Sequence, residues 1–89
     1  MFTSWGVESP KQFSEEELKE ILGKLSDEAA YGMVLRAKGI VPGKDGQWIH
    51  FDYTPGETDV RHGSAEVTGR LCVIGSKIQE ENLKTLFGV

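Results

Sequence analysis

Apolar residues recur along this chain in two rhythms, and the change from one to the other marks out its elements. Residues 2–8 read as a short strand, with Phe2 and Ser4 on one face and Thr3 and Trp5 on the other, and Pro10 breaks it. Ser14 and Glu17 have the spacing of a capping box, with Phe13 and Leu18 placed for a hydrophobic staple. Leu18, Ile21, Leu22 and Leu25 then follow the i, i+3, i+4, i+7 pattern of a helix with one buried face. Ser26-Asp27-Glu28 and Gly32 bracket a connector. The period returns to two over residues 33–41, and Pro42-Gly43-Lys44-Asp45-Gly46 is a turn cluster. Trp48 to Tyr53 alternates with Ile49, Phe51 and Tyr53 on the apolar side. Thr54-Pro55-Gly56-Glu57 suits a tight turn, and Thr58 to His62 is the returning strand. Ser64 to Gly69 is a polar link, and Arg70 to Gly75 a compact central strand. The last helix is expected from near Ser76, with Gln79 as capping partner and Leu83, Leu86 and Phe87 as its stripe.

The order β-α-β-β-β-β-α predicts an α+β fold: a mostly antiparallel sheet of four to five strands with two helices on one face. The opposite sheet face then meets water or something outside these residues. Within that frame Val34-Leu35-Arg36-Ala37-Lys38-Gly39-Ile40 stands out, because two cations interrupt an aliphatic strand. Arg36 and Lys38 are two apart and leave the same face, while Leu35, Ala37 and Gly39 are expected on the other. Gly39 there admits close approach of another backbone.

Composition narrows the function classes. The 89 residues suffice for one small domain that buries roughly 60–65% of its unfolded surface. Asp plus Glu outnumber Lys plus Arg by 14 to 10, which argues against nucleic acid or an anionic membrane as the main partner. One cysteine, Cys72, excludes an internal disulfide framework and a multi-cysteine zinc site. No apolar run approaches the ~20 residues needed to span a bilayer, and Met1 to Trp5 lacks the basic and apolar regions of a secretory signal. The cytoplasm is the expected location.

Chemistry-bearing motifs are sparse. Gly39 to Asp45 has the wrong spacing for a P-loop and lacks the Ser or Thr that holds magnesium. His50, His62 and Cys72 are the soft ligands, with His62 and Cys72 the candidates for a metal. The Pro55-Gly56 turn fixes a hairpin register in which Tyr53 faces Thr58, Phe51 faces Val60, Ile49 faces His62 and His50 faces Arg61. That register points His50 and His62 to opposite faces, so they cannot share an ion. Cys72 reads as a small buried hydrophobe. Asp52 and Asp59 fall opposite each other, but no convergent polar cluster supports catalysis. Trp5 and Trp48 read as structural anchors. Arg36 and Lys38, with Trp48 and His50, are the candidate interaction surface.

The same residues carry a resemblance. Val34 to Ile40 resembles the signature strand of the CobW C-terminal domain. Phe2 to Trp5 with Pro10 and Phe13 to Leu18 resembles that domain's entry strand and first helix, and Arg70 to Gly75 with the helix through Leu83 resembles its close. The resemblance spans residues 1–89 as a single domain. It implies a segment of a longer, cobalamin-synthesis-related GTPase or metallochaperone whose other domain supplies the P-loop and a Cys-x-Cys-Cys metal motif. It implies GTP, magnesium and zinc or cobalt for that parent and no cofactor in this chain. The function expected is a non-catalytic regulatory module that meets the GTPase domain or a metalloprotein client. The alternative is a free-standing small-molecule or metal-binding module. This chain has no His-rich stretch of the kind many relatives carry.

Overall fold

A computed structural model describes residues 1–89. In chain order the elements are β1 (Thr3–Ser9), α1 (Glu15–Lys24), α2 (Glu28–Tyr31), β2 (Met33–Pro42), β3 (Trp48–Thr54), β4 (Glu57–Gly63), β5 (Gly69–Ser76) and α3 (Glu80–Phe87). The strands form one antiparallel sheet in the order β1-β5-β2-β3-β4. The fold is α+β, as the element order predicts. The last strand inserts between the first two, so the sheet closes only when both ends of the sequence meet.

Local chemistry accounts for the helices. Ser14 Oγ accepts the Glu17 amide at 3.1 Å, and the Glu17 carboxylate accepts the Ser14 amide at 3.3 Å, which completes the capping box of α1. Phe13 and Leu18 are both buried, as the staple requires. The Phe13 amide donates to the Pro42 carbonyl at 2.9 Å and the Lys44 amide to the Phe13 carbonyl at 3.0 Å, so the entry to α1 is sewn to the end of β2. The expected connector contains a short helix, α2. Its Asp27 side chain accepts the Ala30 amide at 3.3 Å, which nucleates one turn. The final helix starts at Glu80 rather than Ser76. Gln79 is its N-cap residue but makes no side-chain cap bond, so the capping partnership expected with Ser76 does not form. Gly88 ends α3 in the left-handed region at φ 75°, returning its amide to the Lys84 carbonyl at 2.8 Å.

All three helices cover the same sheet face, and the core lies between the layers. Sixteen buried apolar residues form one cluster. At its centre the Phe87 ring lies 6.1 Å from Trp5 and 6.3 Å from Phe51, centroid to centroid. Lys11 ties the layer down from outside: its ammonium donates to the Phe87 carbonyl at 2.6 Å and sits 4.7 Å from the Phe13 ring centre.

Two details of β2 depart from simple alternation. Val34 pairs with Gly75 and Arg36 with Ile74, so Leu35 is the extra residue of a β-bulge. The bulge resets the pleat, so Val34 joins Ala37 and Val41 in the core while Leu35, expected on that face, is only half-buried. Gly39 does lie on the core face. The space its missing side chain leaves is taken largely by the Phe51 ring: a Cβ there would stand 2.5 Å from Phe51 Cε2 and 2.9 Å from the Arg70 carbonyl oxygen.

Candidate interaction face

The sheet face opposite the helices has no covering layer. Because paired residues in antiparallel strands share a face, the register maps it completely. One row runs Gly6, Cys72, Lys38, Asp52, Asp59, and the next runs Glu8, Arg70, Ile40, His50, Arg61. Ser4, Ile74 and Arg36 form a row at one end, and Pro42, Trp48 and Gly63 one at the other. Arg36, Lys38, Trp48 and His50 therefore all stand on this face, with Arg36 and Trp48 at opposite ends. A shallow groove of about 780 Å³ runs across it, lined by Arg36, Lys38, Ile40, His50, Arg70 and Cys72 among others.

Its electrostatics are uneven. Arg61 reaches Asp52 at 3.1 Å and Asp59 at 2.6 Å, and Arg36 reaches Asp52 at 3.6 Å. Asp52 and Asp59 do face one another as the turn geometry predicts, but a shared guanidinium bridges them. His50 Nε2 meets the Ser64 carbonyl oxygen at 2.9 Å, which pins the segment after β4 against the face. Trp48 is half-buried on the open face and lies outside the core cluster, so of the two tryptophans only Trp5 is a core anchor.

The soft ligands are scattered. The hairpin register is the one expected, so His50 and His62 point to opposite faces. Cys72 is not a core residue: it is half-buried on the open face, while His62 is on the helix side. No group of three or more His, Cys, Asp or Glu is placed to hold a metal ion. His62 instead joins three elements, with Nδ1 3.3 Å from Glu15 on α1 and Nε2 3.2 Å from Asp45 in the β2–β3 turn. The Gln47 amide, with smaller help from His62, holds the Asp45 carboxyl below the usual carboxylate range. In the core, burial raises the pKa of the Tyr53 phenol above 10.0.

Arg70 and Ile74 were missed as face residues. The period of two on β5 puts both beside Cys72, but only the position of β5 next to β2 brings them against Lys38 and Arg36. No helix is long and apolar enough to cross a membrane.

Comparison with solved structures gives the same architecture. The Zn(II)-bound YjiA GTPase from E. coli superposes with a TM-score of 0.74 at 22% sequence identity, and a Zn(II)-bound triple mutant of YjiA with 0.79 at 18%. Each match covers 98% of this chain and 29% of the other, so the chain spans under a third of their length. A search of curated proteins found no match. The family model for the cobalamin synthesis protein cobW C-terminal domain matches residues 2–88, and the chain belongs to that family.

Proposed function

We propose that this chain is the non-catalytic regulatory and interaction domain of a CobW-like, GTP-dependent metallochaperone of the cytoplasm, and that its open sheet face docks on the GTPase domain or on a client metalloprotein. One observation carries the reading: every helix covers the same side of the sheet, leaving a charged, grooved face with Arg36, Lys38, Trp48 and His50 on it. A face of mixed sign suits a contact whose strength differs between nucleotide states, because charge complementarity sets register and discriminates partners. A difference in docking affinity between the GTP and GDP states couples hydrolysis to metal delivery by linkage.

Zinc appears in the similar structures, but the residues of this chain do not fit a zinc site. His62 and Cys72 lie on opposite faces, and His50 is held by the Ser64 carbonyl. Metal and nucleotide belong, in this reading, to the rest of the parent protein.

The test is to exchange Arg36 and Lys38 for Glu in the full-length GTPase and measure domain docking, GTP turnover and client binding. Docking weakened with the fold intact supports the proposal. All three unchanged would sink it.

A further inference from the structure

The open face divides into two electrically different halves. The acids of β3 and β4 are satisfied, with Asp52 and Asp59 engaged by Arg61 of β4 and Asp52 also by Arg36 of β2. On β2 and β5, Lys38 and Arg70 have no carboxylate within 4.0 Å. Their cross-strand neighbours explain why. Lys38 stands opposite Asp52, but that carboxylate already holds two guanidinium groups. Arg70 faces Glu8 across β1, yet the two do not close.

Lys38 pairs with Cys72 and Ile40 with Arg70, so these four make a square on adjacent strands. The two cations occupy one diagonal, roughly 7–8 Å apart at the backbone. The other diagonal is apolar, formed by Ile40 and Cys72, and the exposed Ile74 lies one step beyond Cys72.

We infer that this square docks an extended acidic segment of a protein partner, carrying two glutamates two residues apart. Such residues lie roughly 7 Å apart on one side of a strand, which matches the cation diagonal. One carboxylate meets Lys38 and the other Arg70, while the glutamate methylenes rest on Ile40 and Cys72. The rim decides against a nucleic acid. Glu8, Glu66 and Asp52 line the groove around the pair and repel a continuous polyanion, whereas two discrete carboxylates fit between them. The inference rests on the open-face reading above and gives its partner a chemistry.

The experiment titrates the 89-residue chain with a peptide centred on Glu-Thr-Glu, its Gln-Thr-Gln counterpart and a short single-stranded RNA, followed by amide NMR. The glutamate peptide is expected to move the amides of β2 and β5 around Lys38 and Arg70, and the glutamine peptide to leave them still. Replacing Lys38→Gln together with Arg70→Gln is expected to weaken binding about tenfold, the combined worth of two exposed ion pairs. Equal binding of both peptides, indifference to the double replacement, or tighter RNA binding at those amides overturns the inference. In the docking assay of the full-length protein, Ile40→Ser with Ile74→Ser separates the two readings. Docking lost with this apolar pair but kept with the two glutamines overturns the acidic partner and leaves the open face as the docking surface. Docking kept in both variants overturns both readings.

Discussion

Gly39→Ala measures how tightly the signature strand is bound to the core beneath it. The added Cβ would stand 2.5 and 2.6 Å from two carbons of the Phe51 ring. Carbon atoms in good contact lie roughly 3.5–4.0 Å apart, so the ring must withdraw by about 1 Å. It has little room to do so, being 1% exposed and stacked on Phe87. The Arg70 carbonyl, 2.9 Å from the new carbon, belongs to the central ladder and cannot yield either. Overpacking of this kind costs about 1–3 kcal/mol, and this site belongs near the top of the range. Alanine recovers about 0.5–1 kcal/mol by restricting the unfolded chain, so the net loss is about 2 kcal/mol. For a domain of this size that lowers Tm by roughly 8–16 °C. Phe51→Leu, which trims the obstructing ring, costs about 1–2 kcal/mol alone. The double variant should be less destabilised than the sum by about 1 kcal/mol. Urea unfolding followed by circular dichroism measures all four corners of the cycle. A single variant within about 0.5 kcal/mol of the parent, or strict additivity, would refute the reasoning.

Gly23→Ala, in the exposed last turn of α1 with open space where its Cβ would go, should stabilise by about 0.5 kcal/mol in the same assay. Lys11→Met keeps the alkyl stem but removes the bond to the Phe87 carbonyl and the contact with the Phe13 ring, and should cost about 1–2 kcal/mol. The raised pKa of Tyr53 means that burial favours its neutral phenol. Its contribution is therefore complete below pH 10.0 and is lost as pH rises through the higher folded value, and Tyr53→Phe should flatten that alkaline limb of a Tm-versus-pH curve. Asp45 has the opposite sign: its contribution is present above pH 3.8 and lost as pH falls through the lower folded value, so Asp45→Asn should lessen the acid sensitivity of Tm.

Local order in the sequence carried far toward the fold, and its failures have local causes. The capping box at Ser14 and the Pro55-Gly56 turn each depend on a few adjacent residues, so α1 and the β3–β4 register follow from spacing alone. Gly56 at φ +85° is the residue that turn needs at its third position. The bulge at Leu35 was not legible, because both Val34 and Leu35 are aliphatic and either fits a core. Cys72 was misplaced for a related reason. Its strand is apolar on both sides, with Leu71 and Val73 facing the core and Ile74 facing out, so alternation gave no contrast to read. Of the candidate interaction face, Arg36 and Lys38 were visible as charges out of place. Arg70 was not, because a charge at a strand's beginning looks ordinary until strand order sets it beside Lys38.

The layering also separates charge. α1, α2 and α3 with their caps carry Glu15, Glu16, Glu17, Glu20, Asp27, Glu28, Glu80 and Glu81 against Lys19, Lys24 and Lys84. The sheet side retains Lys38 and Arg70 without bridging carboxylates. The molecule is thus electrically polarised from its helix layer to its open sheet face. In the field of an acidic partner it experiences a torque that turns the sheet forward before contact, and a basic surface turns it the other way. Orientation during diffusion raises the fraction of productive encounters without altering any bond in the final complex. The helices, which touch no partner in this scheme, would set how fast one is captured, and that rate would fall steeply with added salt.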